Sequence, residues 1–272
     1  MVHGRREDAV CAAKKAAAWL LEQGVSVIAE DDAAPLLGPQ VTSFSQAHGA
    51  DVIVTLGGDG TLLRGAQYAL RWDASLLGVN MGRVGFLAEI EPDALEVALA
   101  EVIAGRARTE NRPVLEVRCG GRTWYGLNDV VVSRGGYSRL ITIDALVDGD
   151  STGRYVADGL IVATPTGSTG YCLSAGGPVV SPRVDCMVIT PICAHTLQHR
   201  PCVVHGGARI RLSLRAEDVQ SASLQVDGQT CAELNGGMCV DVRKDERALR
   251  LIHMKETRFF QTVRDKLTEW TR

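Results

Sequence analysis

Residues 51–61 read DVIVTLGGDGT, and this stretch decides how the chain around it folds. The residues up to Leu56 are almost all apolar, which predicts a buried strand. Three glycines, one acid and one threonine follow, and then helix-compatible residues. Glycines let backbone N–H groups approach a ligand closely, and a helix N-terminus favours negative charge, so the loop suits a phosphate group. The same residues also fit a tight turn in which Asp59 caps the helix.

The acid inside this loop needs its own explanation. A carboxylate and a phosphate repel each other unless the carboxylate takes up a proton or binds a metal ion. Asp59 therefore predicts phosphate chemistry as well as phosphate binding. The loop has neither the Gly-Lys-Ser/Thr ending of a P-loop nor the GxGxxG pattern of dinucleotide-binding folds, so the rest of the chain has to decide its function.

The composition indicates a globular protein with a sizeable core. The 272 residues suffice for one large or two ordinary domains, and 46% of them are hydrophobic. A net charge of −3 leaves no broad basic surface for nucleic acid, and no apolar run has the length of a membrane span. The polar N-terminus is unlike a signal peptide, and the eight cysteines include no C-x-x-C pair. We expect a cytoplasmic protein without nucleic-acid or membrane partners, zinc site or disulfide framework.

Strands and helices alternate in the first part of the chain, which predicts a doubly wound α/β domain with a mostly parallel sheet. The predicted helices are 7–23, 62–71 and 92–103, and the predicted strands are 25–29, 51–56 and 75–80. Residues 31–49 are expected to form a loop, with a short helix at 41–47. Such a domain usually opens with a strand, but here the first residues lead directly into a helix. Either the chain starts late or the sheet lacks that strand.

The sequence pattern changes after residue 105, where short β-type runs separated by turn residues predict an antiparallel, sandwich-like β domain. The runs are 114–117, 123–127, 130–132, 141–147, 160–163, 187–189, 202–204, 210–214, 223–226 and 238–243. A strand at 248–254 and a helix at 257–270 follow. The expected division is an α/β domain over 1–107, completed by 246–272, and a β domain over 108–245.

Three further clusters carry polar chemistry. Residues 80–87, NMGRVGFL, follow a strand and therefore lie at the same carboxyl edge of the sheet as the glycine loop, where open α/β sheets bind ligands. Asn128 and Asp129 lie between two β runs, and such a pair can bind a base edge and a ribose diol. Each of these clusters, taken alone, is also typical of a turn.

Residues 158–178 form the most specific of these clusters. An apolar strand leads into the loop TPTGSTGY at 164–171, which places four hydroxyl side chains within six residues. Hydroxyl and free N–H groups suit sugar, base and phosphate contacts, and Tyr171 adds a stacking surface. We interpret this loop as functional. Asp227 and Gly228 predict a hairpin turn.

The identity and order of these clusters resemble the NAD kinase family over nearly the whole chain. The resemblance implies transfer of the ATP γ-phosphate to the 2′-hydroxyl of the adenosine ribose of NAD, which gives NADP. It also implies Mg²⁺ or another divalent cation with ATP, an α/β domain plus a β-sandwich-like domain, a C-terminal helix packed back on the first domain, and a homodimer or homotetramer. Polyphosphate stays open as a donor. The glycine motif alone is shared with diacylglycerol and sphingoid lipid kinases, so a lipid kinase and a non-catalytic nucleotide-binding protein are the alternatives.

Carried over residue by residue, the resemblance implies that Asp59 is the proton acceptor for the attacking hydroxyl and that the protein supplies no resident metal site. The positions that it implies for NAD or ATP binding are Gly57, Gly58, Gly60, Thr61, Arg64, Asn80, Phe86, Asn128, Asp129, Arg139, Asp158, Thr166, Thr169, Gly170, Tyr171, Cys172, Leu173, Ser174 and Gln229.

The chain departs from the family pattern at named positions. Gly170 stands where the family usually has Ala, and Ala194 stands where Pro usually follows Ile-Cys. Cys193 with His195, or His195 with His199, have spacings that could be interpreted as a nucleophile–base pair or as metal ligands. We interpret them instead as a buried cysteine and structural histidines.

Overall fold

The structure is a computed structural model that describes residues 1–2, 6–82, 85–135, 140–195, 198–215, 222–254 and 259–269. The chain forms two compact units, Met1–Asn111 with Leu249–Arg272, and Arg112–Ala248. Its first elements are α1 (Glu7–Glu22), β1 (Ile28–Ala29), α2 (Ala34–Leu37), β2 (Thr42–Ser43), a 3₁₀ turn (Phe44–Gln46), β3 (Val52–Gly57), α3 (Asp59–Trp72), β4 (Ser75–Asn80), a second 3₁₀ turn (Pro92–Ala94) and α4 (Leu95–Ile103).

The second unit is made mostly of strands. The elements are β5 (Arg108–Cys119), β6 (Arg122–Gly126), β7 (Asp129–Arg134), β8 (Ile141–Val147), β9 (Asp150–Ala157), β10 (Gly159–Ala163), a 3₁₀ turn (Gly167–Thr169), α5 (Tyr171–Ser174), β11 (Cys186–Ile192), β12 (Cys202–His205), β13 (Arg209–Leu214), β14 (Ala222–Val226) and β15 (Gln229–Leu234). Strand β16 (Cys239–His253) starts in this unit and ends in the first, which α6 (Phe259–Glu269) completes.

The first unit is built on parallel strands. β3 pairs with β4 along its whole length, and the end of β16 pairs in parallel with β4 at Arg250 and Leu251. Val2 forms a parallel bridge to Leu56 on the other side of β3. Leu56 N also donates to Met1 O at 2.9 Å, so the first two residues lie beside β3 at the edge where no strand was predicted from the sequence.

Helices cover both faces of this sheet, as a doubly wound domain requires. Side chains alternate between the two faces of a strand. Leu56, Leu77 and Val79 share one hydrophobic cluster with buried alanines of α1 and with α4. On the opposite face, α3 comes so close that a methyl group on Gly65 would lie 2.4 Å from Thr55 Cγ2.

The second unit contains antiparallel sheets, as predicted. One sheet has the order β12-β11-β10-β7-β14-β15, and all of its pairs are antiparallel. In the other, β13 pairs with β8 and with the first part of β16, and β8 also pairs with β9. The core between these strands is formed by fully buried aliphatic side chains such as Val132, Ile143, Leu160, Ile189 and Leu212.

The element boundaries differ from the prediction in several places. The predicted strand at 25–29 has only two paired residues, and the predicted helix at 41–47 is a two-residue strand followed by a 3₁₀ turn. β9 and β15 are absent from the prediction, because both consist largely of polar residues that are exposed or only partly buried. The predicted strands at 238–243 and 248–254 are one strand, β16. Among the described residues, no helix combines the length and hydrophobicity that crossing a bilayer requires.

Candidate active site

Asp59 is the first residue of α3 and its carboxylate is held by backbone N–H groups of the second cluster. Phe86 N donates to Oδ2 at 2.9 Å, and Leu87 N and Ala88 N donate to Oδ1 at 3.2 and 3.3 Å. The carboxylate is therefore oriented by three donors from a neighbouring segment and not by its own helix. This contact joins the glycine loop to residues 85–88, two clusters that the sequence placed at the same sheet edge.

This arrangement requires glycine at two positions, because a side chain there would clash with Asp59 or with Thr61. A methyl group on Gly85 would lie 2.0 Å from Asp59 Oδ1, and one on Gly57 would lie 2.3 Å from Thr61 Oγ1. Gly58 and Gly60 are exposed, and a methyl group on either would meet nothing within 4 Å. The loop therefore keeps an open, side-chain-free surface at the start of α3, where the helix favours an anion.

The other predicted binding residues of the first unit form contacts within that unit. The Asn80 side chain is buried and bonds both ways with the backbone of Gly82, at 3.1 Å each, so it shapes the turn after β4. Arg64 pairs with Glu30 at 3.0 Å and is about half exposed. The Phe86 ring is half-buried and lies 5.9 Å from Lys266 Nζ of α6. That contact lies within the first unit, as the prediction for the C-terminal helix requires.

Asn128 and Asp129 are held by a third polar residue, Asp227. The Asp227 carboxylate accepts from Leu127 N at 2.8 Å, Asn128 N at 2.7 Å and Asp129 N at 3.2 Å. Asp227 has φ +48° and Gly228 has φ +76°, so they form the tight turn that joins β14 to β15. The hairpin prediction is thus confirmed. The role of the carboxylate was missed, although Asp in a turn commonly bonds nearby backbone.

This pair presents two unusual polar groups. Burial, and then the nearby Asp227 charge, raise the pKa of Asp129 to about 7. Asn128 Oδ1 is buried without a hydrogen-bond partner among the described residues. A buried acceptor without a donor is costly, so its presence points to a ligand that supplies one. A methyl group on Gly170 would lie within 4 Å of both side chains.

The hydroxyl groups of the 164–169 loop bond mainly within the protein. Thr164 Oγ1 donates to Leu127 O at 2.6 Å, Ser168 Oγ donates to Pro165 O at 2.7 Å, and Thr169 Oγ1 donates to Thr166 O at 3.1 Å. Thr166 Oγ1 accepts from the buried Arg112 at 3.4 Å. The Thr164 hydroxyl thus fixes the loop to the backbone of Leu127, and the Ser168 and Thr169 hydroxyls close turns within the loop, which differs from their interpretation as direct ligand contacts.

The short helix α5 shows both buried and exposed predicted residues. Tyr171 is 47% exposed, which leaves its ring available for stacking. Cys172 is fully buried, with Sγ 3.2 Å from Thr190 Oγ1, and burial raises the pKa of its thiol. Leu173 is half-buried and Ser174 is exposed. Cys172 therefore offers no surface to a ligand in this structure, because it packs inside the second unit.

Three predicted binding residues remain, namely Asp158, Gln229 and Arg139. Asp158 pairs with Arg134 at 2.6 Å, and Gln229 is exposed at the start of β15. Arg139 lies outside the described residues. Sequence reasoning missed both Arg112 and Arg134, because nothing in the sequence distinguishes them from the other basic residues.

The Cys193 and His195 region shows no catalytic or metal-binding arrangement in the part of the chain that the structure describes. Cys193 is exposed, not buried as expected, and has φ +47°. The His199 ring stacks on Tyr155 with 4.5 Å between centroids. Across the described ranges, His, Cys, Asp and Glu side chains form no group of three that could hold a metal ion.

Profiles of known protein families match residues in both units of the chain. The profile of the ATP-NAD kinase N-terminal domain matches residues 1–107, and that of the ATP-NAD kinase C-terminal domain matches residues 127–254. The NAD kinase of Magnetococcus marinus is 40% identical over 270 residues, which cover 95% of this chain and 89% of that protein. The NAD kinase of Syntrophotalea carbinolica is 40% identical over 269 residues, with 96% and 94% covered.

Two solved structures are similar along most of the chain. Yeast NADH kinase complexed with NADH has a TM-score of 0.87 and 27% identity, with 95% of this chain and 83% of that chain covered. An NAD kinase from Archaeoglobus fulgidus in complex with ATP has a TM-score of 0.75 and 29% identity, with 97% and 96% covered.

Fold and site together define a phosphotransferase that acts on a nucleotide. A glycine loop with a backbone-held carboxylate lies in an α/β unit, and an Asn-Asp pair with an unsatisfied acceptor lies in a β unit. The chain belongs to the NAD kinase family, and it is a kinase that phosphorylates NAD. The lipid kinase and the non-catalytic binding protein are not supported, because the match extends through both domains.

Proposed function

We propose that Asp59 is the proton acceptor when the 2′-hydroxyl of the adenosine ribose of NAD attacks the γ-phosphate of ATP. An alcohol becomes a better nucleophile when a positioned base takes its proton. The products are NADP and ADP. The proposal rests on the three backbone hydrogen bonds that orient the Asp59 carboxylate.

A carboxylate offers about four lone-pair positions for hydrogen bonds. Three donors reach Asp59: Oδ1 accepts from Leu87 and Ala88, whereas Oδ2 accepts from Phe86. Oδ2 therefore keeps one lone pair for a further donor. A ribose hydroxyl is such a donor, and the fixed carboxylate would meet it without first reorganising.

The phosphoryl donor is proposed to bind at the start of α3. Gly58 and Gly60 leave backbone groups accessible there, and the helix N-terminus favours the phosphate charge. Mg²⁺ or another divalent cation is proposed to arrive with ATP, as part of the substrate, and to shield the phosphates. The alternative donor, polyphosphate, would need the same anion site.

NAD is proposed to bind at Asn128 and Asp129. The buried Asn128 Oδ1 needs a donor, and an exocyclic amine or amide of NAD supplies one. The exposed Tyr171 ring and Ser174, both on α5, are proposed to contact NAD as well, and Asp158, Gln229 and Arg139 are further proposed contacts.

Some broader assignments are part of the proposal. We propose functional domains over 1–107 with 246–272 and over 108–245, a homodimer or homotetramer, and a cytoplasmic location. Neither nucleic acid nor a membrane is proposed as a partner. The composition and the family resemblance support these assignments.

Replacement of Asp59 tests the proposal. Asp59→Asn should lower kcat for NADP formation with ATP and Mg²⁺ by about 10²–10⁴-fold, the usual effect of a lost general base. The Asn amide nitrogen cannot accept a backbone N–H, so the melting temperature and the Kd for NAD must be measured too. Asp51→Asn changes an exposed acid immediately before β3; it is the matched control and should keep full activity. Near-normal turnover by Asp59→Asn would remove Asp59 from the mechanism.

A further inference from the structure

The segment that holds Asp59 is itself anchored at its far end. Ala88 donates to Asp59, and Oε2 of the next residue, Glu89, lies within hydrogen-bond distance of His253 Nδ1, at 3.0 Å. Ile90 then bonds to the strand beside it, because Asn80 N donates to Ile90 O at 2.8 Å. The donors at 86–88 are thus followed directly by a side-chain anchor and a backbone anchor.

His253 is a rigid partner for this anchor. It is the last residue of β16, two residues after Leu251, which pairs with β4 in parallel, and its side chain is only 7% exposed. Its second ring nitrogen, Nε2, lies 3.2 Å from Glu110 Oε2. A buried ring between two carboxylates has little freedom to turn, so Glu89 is tied to the sheet and not to a mobile surface group.

We propose that Glu89 and His253 are positioning residues for Asp59, an inference that rests on the proposed role of Asp59 as proton acceptor. The Leu87 and Ala88 bonds to Oδ1 are the longest of the three that hold the carboxylate. When Glu89 is released from His253, residues 87–88 shift and these two bonds weaken first. The carboxylate then rotates about the Phe86 bond, and the remaining lone pair of Oδ2 no longer faces the hydroxyl.

A purely structural role of the same hydrogen-bonded pair is the competing explanation. A buried pair that only stabilises the fold would affect every variant alike. A positioning pair acts through Asp59, so its effect must disappear when residue 59 can no longer accept the proton. Coupling between the two positions therefore separates the explanations.

The experiment is a double-mutant cycle on kcat for NADP formation. Glu89→Ala should lower kcat about 10-fold in the otherwise unchanged protein, within the range expected for a misplacement of less than 1 Å, and should leave KM for NAD and ATP within about twofold. In an Asp59→Asn background the same change should alter kcat less than about twofold. Glu91→Ala, which removes an exposed carboxylate two residues further along the chain, is the matched control and should keep kcat within about twofold.

A second cycle covers the case in which Glu89→Ala does not fold or the Asp59→Asn rate is too low to measure. Glu89→Gln keeps the shape and one acceptor and should lose less activity than His253→Phe, and the double variant should be no worse than His253→Phe alone. An unchanged kcat in Glu89→Ala, or equal losses in both backgrounds, would overturn the positioning role. Full activity of Asp59→Asn would instead overturn the proposed mechanism, and the two failures are distinguishable.

Discussion

Gly85 offers a direct test of how closely the Asp59 carboxylate is held. A methyl group at this position would lie 2.0 Å from Asp59 Oδ1, 2.7 Å from its Cγ and 2.9 Å from Oδ2. Real Cβ atoms essentially never approach closer than 3.0 Å, so either the carboxylate or residues 85–88 must move by about 1 Å. The neighbouring atoms cannot yield freely, because Phe86, Leu87 and Ala88 all donate to this same carboxylate.

We expect Gly85→Ala to lower kcat by about 10²-fold, because a displacement of 1 Å at a reacting group costs about that much. The overpacked contact should also lower the free energy of unfolding by about 1–3 kcal/mol. The assay is initial-rate NADP formation at saturating NAD and ATP, with the melting temperature measured on the same preparation. The assay temperature must stay well below the unfolding transition of the variant.

A matched variant makes the result interpretable. Gly49→Ala changes another exposed glycine of the first unit, and its methyl group would meet nothing within 4 Å, so its kcat should match that of the original protein. If folded Gly85→Ala keeps kcat within about threefold, residues 85–88 can move without loss of activity, and catalysis does not require a fixed position of the Asp59 carboxylate.

Two further predictions concern stability. Gly65→Ala should lower the free energy of unfolding by about 1–3 kcal/mol despite the better helix propensity of Ala, because its methyl group would lie 2.4 Å from Thr55 Cγ2 and 3.1 Å from Leu76 Cδ1. Urea unfolding measures this change, and an increase in stability would show that α3 can lift from the sheet. For Asp129 the raised pKa means that the folded state holds the proton more tightly, so this stabilisation is present below about pH 4 and is lost as pH rises to about 7. Asp129→Asn should therefore match the original protein at pH 4 and exceed it at pH 8, by at most about 4 kcal/mol, whereas a difference that does not change with pH would contradict the raised pKa.

The order of elements in the first unit could be predicted because each had a strong local pattern. The strand before Gly57 and the stripe of α1 were both evident from periodicity. The start of α3 was placed three residues late, because Asp59, Gly60 and Thr61 are weak helix formers. In the structure Leu62 N donates to Gly58 O at 3.2 Å and closes the first turn, and the Asp59 carboxylate accepts from the backbone of 86–88, a contact 27 or more residues away in sequence.

The polar loops show what a local pattern cannot reveal. The hydroxyl-rich stretch was evident from the sequence, but the partners of its hydroxyls include Leu127 O and Arg112, which are distant in sequence. Asp227 looked like a turn residue and is one, yet its carboxylate also holds the backbone of 127–129. A residue type that suits two tasks cannot be assigned to one of them until its neighbours in space are known.

The contact between Asp59 and residues 86–88 explains why the first two clusters occur together. Gly57 and Gly85 serve different parts of one arrangement, since the first leaves room for the Thr61 side chain and the second leaves room for the Asp59 carboxylate. A carboxylate near a bound phosphate would otherwise be repelled, and three backbone donors compensate for that repulsion while keeping one lone pair available.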